Sequence, residues 1–135
     1  MSEPLSWQGE APVVGAVYLG SGATVALAFG DGNLRLVNVA DGGTQDVAAH
    51  ADAAILDLAA DGDGLLTGGD DGRLVRTLVS GETAELASFP GKWVAGVAAH
   101  AGEGLRAAAV GKEVQLYDRD GLRAVLPHAD RKSVV

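Results

Sequence analysis

Along the chain, apolar residues come in short runs, and each run is closed by a polar or glycine-rich break. The segment 54–89 shows the pattern most clearly. "AILDLA" (54–59) is apolar, "DGDG" (61–64) breaks it, and "LLTG" (65–68) resumes. "GDDG" (69–72) breaks again before "RLVRTLV" (73–79), and "SGE" (80–82) separates that from "TAELASF" (83–89). Runs of this length bounded by turn residues predict four strands joined by tight turns, with glycine wherever a turn demands positive φ. No segment of helical length carries a 3.6-residue period.

The pattern recurs. Asp71-Gly72 has Asp31-Gly32 at 40 residues before it and Gly111-Lys112 at 40 after it. In the same frame Leu34, Leu74 and Val114 coincide, as do Leu36, Arg76 and Leu116, then Val25, Leu65 and Leu105, then Gly22, Gly62 and Gly102. A fixed period of this length marks a repeat architecture, and four short strands per period match one propeller blade. Such strands are buried on both faces by neighbouring blades, which explains near-continuous apolar runs in place of clean alternation.

On these residues the chain resembles the WD-repeat β-propellers over essentially its whole length. The likeness rests on "HADAAILDLAADGDGLLTGGDDGRLVRTL" (50–78), on "HAD" again at 128–130, and on "VQLYDRDG" (114–121). Tyr117-Asp118 stands where the family's Trp-Asp pair ends a third strand. The resemblance implies an all-β fold of four-stranded antiparallel blades. It also implies a structural tetrad of His, Ser or Thr, Asp and Trp inside a blade. His50, Thr67 and Asp71 match three of these, and Thr77 holds the Trp position. The first repeat keeps Asp31 alone, and the third keeps the aromatic Tyr117.

The phase of the repeat divides the chain. Residues 4–10 fall at the place of an outer, fourth strand that closes some other blade. Blade 1 is expected over 13–50, blade 2 over 53–90, blade 3 over 93–128, and a further blade begins at 129–135. Known propellers close with about four to eight blades. Three blades and an orphan outer strand are therefore expected to be part of a larger propeller, with the remaining blades on another polypeptide segment or chain; the alternative is a ring closed by copies of this chain, in which the orphan strand would be redundant.

Composition narrows the function. Aromatics are 4% of the 135 residues, so the core is built from Val, Leu and Ala. Without cysteine there is no disulfide framework and no thiolate metal site. A net charge of −8 with no basic cluster argues against nucleic acid as a partner. The start of the chain has no basic and apolar leader pattern, and no apolar run approaches a membrane span. A cytoplasmic protein is the resulting expectation.

Local motifs add no chemistry. "LGSGATVA" (19–26) has Val25 where a dinucleotide fingerprint needs its third glycine. "PGKW" and "VGKE" lack the upstream glycine and the Ser or Thr of a phosphate loop. "DGDGLLTGGDD" (61–71) puts Leu65 and Gly72 where a calcium loop needs oxygen ligands. His50, His100 and His128 have no metal-ligand spacing, and no Ser or Thr has a His and an acid arranged for nucleophilic catalysis. No catalytic, cofactor or metal site is expected.

Two features remain. Asp57 and Arg76 are charged where their repeat partners are apolar, Val17 and Val97 for the first, Leu36 and Leu116 for the second. A lone buried charge is costly and a pair much less so, so Arg76 either pairs with Asp57 across the blade or snorkels to a surface. The second feature is Lys92-Trp93, in the connection between two blades. By the resemblance that connection lies on the top face. The blade fold requires no Trp there, since the matching positions are Ala53 and Ser133. Trp93 either packs over the adjacent blade or marks a partner-binding hot spot. Asp52, Arg131 and Lys132 are the other charged residues assigned to this face. The reading that results is a non-enzymatic interaction scaffold with protein partners. The alternatives are a propeller enzyme or small-molecule sensor with a site in the central channel, and a purely structural subunit of a larger complex.

Overall fold

The computed structural model describes residues 11–127. Its strands form three four-stranded antiparallel sheets, each hydrogen-bonded in sequence order. The first sheet holds β1 (Val13–Leu19), β2 (Thr24–Phe29), β3 (Asn33–Asn38) and β4 (Thr44–Ala48). The second holds β5 (Ile55–Asp61), β6 (Gly64–Gly69), β7 (Arg73–Leu78) and β8 (Thr83–Ser88). The third holds β9 (Val94–His100), β10 (Leu105–Val110), β11 (Glu113–Asp118) and β12 (Gly121–Pro127), with a 3₁₀ turn at Ala101–Glu103. The expected outer strand at 4–10 and the further blade at 129–135 lie outside the described residues.

Each sheet is a blade standing against the next, with β5 beside β1 and β9 beside β5. The turns hold the blades upright. Between β6 and β7, Gly72 takes a φ of 77°, and its N–H donates to the Gly69 carbonyl at 3.1 Å. A side chain at Gly72 would run into the carbonyl oxygens of Phe89 and Lys92, because the chain leaving β8 passes over this turn. The Phe89 N–H donates to the Gly72 carbonyl at 2.7 Å and fixes that crossing. Gly32 does the same for His50 in the preceding blade, with 3.0 Å from the His50 N–H to its carbonyl.

Strand alternation sends one face of each blade into a seam with its neighbour. The first seam is apolar. Leu19, Ala26, Ala28, Leu34 and Leu36 of the first blade bury against Leu65 and Val75 of the second, with Val17 and Leu58 packed alongside. Gly15 lacks a side chain where the Leu58 methyl group sits. The second seam has a smaller apolar set of Leu74, Val94, Ala108 and Val110, flanked by Val97 and Tyr117. Leu66 is buried on the same face, and charged side chains share the seam with these apolar ones.

Asp57 and Arg76 do not pair, and Arg76 does not simply run out to solvent. Both lie on the face that meets the third blade. Asp57 stands opposite Gly68 in the pairing of β5 with β6, and Val94 of the third blade fills the space over Gly68. The way from Arg76 to Asp57 is therefore blocked. The Asp57 carboxylate accepts the Val97 N–H across the seam at 2.9 Å. Arg76 turns the other way, over Gly64, where a Cβ would lie 2.8 Å from its guanidinium carbon. Its Nε donates to Asp61 Oδ2 at 2.8 Å, and its Nη2 donates to the Asp61 carbonyl at 3.0 Å. Arg106 of the third blade donates its Nε to the same Oδ2 at 2.7 Å. Asp61 is 3% exposed. Burial by itself would raise its carboxyl pKa. The hydrogen bonds and charges of Arg76 and Arg106 outweigh burial and hold it below the usual carboxylate range.

Repeat equivalence, read from strand pairing, differs from a fixed period of 40. The third strands keep it, starting at Asn33, Arg73 and Glu113. The first strands drift, because β5 and β6 are joined by Gly62 and Asp63 alone, while the other blades use longer connections at 20–23 and 101–104, and β10 lies one residue late because its turn to β11 is 111–112 where the other blades use 30–32 and 70–72. Arg106, opposite Tyr117 and Ala99, takes the place of Leu65, opposite Thr77 and Ala60. Leu105 shifts out of that row. Asp57 matches Gly15 and Gly96, not Val17 and Val97.

Candidate interaction face

The chain runs up and down through each sheet, so the turns β2–β3, β6–β7 and β10–β11 share one end of the molecule with the connections β4–β5 and β8–β9. Most of the residues singled out in the sequence gather at this end.

In the second blade, His50 leaves the β4–β5 connection and is fully buried. Its Nε2 lies 2.7 Å from Thr67 Oγ1 on β6, and its Nδ1 lies 3.1 Å from both carboxylate oxygens of Asp71. A carboxylate only accepts, so Nδ1 carries the hydrogen of that contact. Asp71 also accepts the Arg73 N–H at 3.0 Å, which ties the β6–β7 turn to the same network. Asp70 holds the other side of the turn by accepting the Ala54 N–H at 2.9 Å. The three residues are thus brought together, and they stiffen the loops without offering a free group. Thr77, at the family's Trp position, is also buried, and its hydroxyl oxygen has no hydrogen-bond partner among the described residues.

Trp93 lies in the β8–β9 connection and is 62% exposed, so it does not pack over the adjacent blade. It lines an open cleft of about 750 Å³ with Gly91, Lys92, Gly111, Lys112 and Glu113. The near wall is the β8–β9 connection, and the far wall is the β10–β11 turn. Lys112 and Glu113 were not singled out in the sequence. The signal for them was present, because Gly111-Lys112 replaces the Asp-Gly of the two earlier turns. Asp52 is exposed on the β4–β5 connection, with a φ of 61° that Asp tolerates better than most residues. Arg131 and Lys132 lie outside the described residues.

Asp61 and Arg106 were also missed, and they sit away from the turn-rich end just described. His100 is the last residue of β9. Among the described residues, no three His, Cys, Asp or Glu side chains converge as a metal site would need, and no helix is long and apolar enough to cross a membrane.

Three blades side by side, each four-stranded and antiparallel with the first strands adjacent, are a sector of a β-propeller. Solved structures give the type. The chain superposes on the structure of U3-55K with a TM-score of 0.75 at 15% identity, over 89% of this chain and 40% of that one. It superposes on the RRP9 WD40 repeats with a TM-score of 0.76 at 16% identity, over 92% of this chain and 41% of that one. The fold is therefore that of WD-repeat propellers, and the chain spans about 40% of the length of these structures. No protein-family model and no curated protein matches the sequence.

Proposed function

We propose that this chain is a propeller sector acting as a non-enzymatic protein-interaction scaffold, and that polypeptide outside these residues supplies the blade that packs on its third sheet. The observation that carries this reading is the uncovered face of that sheet. Its positions repeat those that face a neighbour in the first two blades. There they are Ala26 and Leu34, then Leu66 and Leu74, all fully buried. On the third sheet they are Ala107 and Val114, both partly exposed, beside Leu105 at 40% exposure. Ala98, His100, Leu105, Ala107 and Leu116 line an open, mostly apolar depression of about 480 Å³ there. A contiguous apolar face of this kind marks an interface. The fitting occupant is a further four-stranded blade, because both equivalent faces in this chain are covered by one.

Partners then meet the turn-rich end, where rigid loops present Trp93, Lys92 and Asp52. Native mass spectrometry tests the completion. The expected result is a complex containing additional propeller sequence in a second chain or a longer one. A lone assembly at a multiple of 13.6 kDa would overturn the reading in favour of closure by copies.

A further inference from the structure

Every described arginine is engaged. Arg35 binds Asp46, Arg73 binds Glu85, Arg76 and Arg106 share Asp61, Arg119 donates to the Gly102 carbonyl, and Arg123 meets Asp118. The two described lysines differ. Lys92 and Lys112 are both exposed, and neither makes an ion pair or a side-chain hydrogen bond among the described residues. In a chain of net charge −8, these two uncommitted cations line the same cleft. Trp93, 62% exposed, lines the cleft with them. Glu113 is the one carboxylate lining the cleft, so the local balance is positive where the molecule as a whole is negative.

We infer that this cleft is a docking site for an extended acidic peptide segment of a partner protein, one that carries an apolar side chain between its carboxylates. The inference rests on the scaffold reading and names the partner's chemistry. The two ammonium groups take carboxylates of the segment. The indole of Trp93 takes the apolar side chain, which gives the contact area that lysines alone do not supply. The fit is one of charge complementarity. The acidic remainder of the surface repels the same peptide elsewhere and steers it to this end.

The test uses fluorescence anisotropy of a labelled ten-residue peptide of alternating Glu and Leu, with a Lys and Leu peptide and an all-Glu peptide as controls. The Glu and Leu peptide is expected to bind, the Lys and Leu peptide not to bind, and the all-Glu peptide to bind more weakly. Lys92→Glu with Lys112→Glu is expected to weaken binding by about a hundredfold, and Trp93→Ala by about tenfold. All three side chains are exposed, so the variants keep the fold, which circular dichroism checks. Added salt is expected to weaken binding further. Absence of binding by every acidic peptide, or binding indifferent to both variants, overturns the inference. Inorganic phosphate competing as well as the peptide would also overturn it, in favour of a simple anion site. If the mass measurement finds the completing blades while the peptide fails, only the cleft is lost and the scaffold reading stands.

Discussion

The two blade seams solve one packing problem with opposite chemistry. Strand pairing places Leu19, Leu36 and Leu65 in the first seam at the positions that Asp61, Arg76 and Arg106 hold in the second. The three leucines are all buried in one apolar cluster. The aspartate and the two arginines form a hydrogen-bonded triad on a single carboxylate oxygen. The same backbone therefore accepts either an oily wedge or a charged clasp. What the charged version requires is room. Gly64 gives it, by letting the Arg76 side chain cross β6, whereas the equivalent crossing in the first seam is not needed. Burial of charge is tolerated because every member has its counter-charge, and removing any one leaves the others exposed to the full desolvation penalty.

This contrast is open to attack from both sides. The largest effect is expected in the oily seam. Leu65→Ala should lower stability by about 3 to 4 kcal/mol, because a fully buried leucine leaves a cavity that rigid sheets close poorly. A denaturant titration reads it, and a loss under about 1 kcal/mol would mean that the seam is looser than its burial implies. Next comes Asp61→Asn. It leaves two guanidinium groups facing each other without a carboxylate, and the expected loss is about 2 to 3 kcal/mol at neutral pH. The informative control is the triple replacement Asp61→Leu, Arg76→Leu and Arg106→Leu, which gives the second seam the chemistry of the first. Buried ionic triads replaced by apolar residues tend to leave a protein as stable or more so. A gain of about 1 to 2 kcal/mol is expected, and a clear loss would show that the ions do more than fill the seam.

Acid separates the seams as well. The Asp61 pKa is lowered in the folded protein, so its contribution is fully present above the unfolded value of about 4. It is lost as pH falls below that value and through the folded one. The triple leucine variant should therefore lose less stability than the parent between about pH 4 and about pH 2, in matched thermal melts. The smallest expected effect lies in the first seam at Thr77, whose buried hydroxyl oxygen is unpartnered. Thr77→Val keeps the shape and removes that oxygen, and a gain of up to about 1 kcal/mol is expected. A loss would mean that the hydroxyl has a partner after all.

The period, the turns and the His50, Thr67 and Asp71 positions were legible because each depends on residue type at short range. Glycine at Gly72 and Asp at Asp71 announce a turn whatever surrounds them. The charged seam was half legible. Arg76 and Asp57 stood out as charges in apolar rows, but their partners were not local. Asp61 looked like part of the "DGDG" turn, although it ends β5 and points into the seam. Arg106 was hidden by the two-residue β10–β11 turn, one residue shorter than the turns at 30–32 and 70–72, which sets β10 one residue later and gives Arg106 the place that a fixed period assigns to Leu105. A one-residue shift moves a strand's whole side-chain set to the other face, so loop length decided which charges meet. The cleft beside Trp93 was legible on one wall only, since Lys112 lies twenty residues further along and is brought close by the fold.

Two backbone amides report on the seams separately. The Gly20 N–H crosses the first seam to the Gly62 carbonyl at 2.6 Å, and the Val97 N–H crosses the second to the Asp57 carboxylate. Site-resolved hydrogen exchange from about pH 5 to about pH 2, corrected for intrinsic rates, measures the opening of each. The expected result is that Val97 loses protection below about pH 4 in the parent and less so in the triple leucine variant, while Gly20 keeps its own. Joint loss at one pH, or earlier loss at Gly20, would contradict the claim that one seam is held by charge and the other by apolar packing.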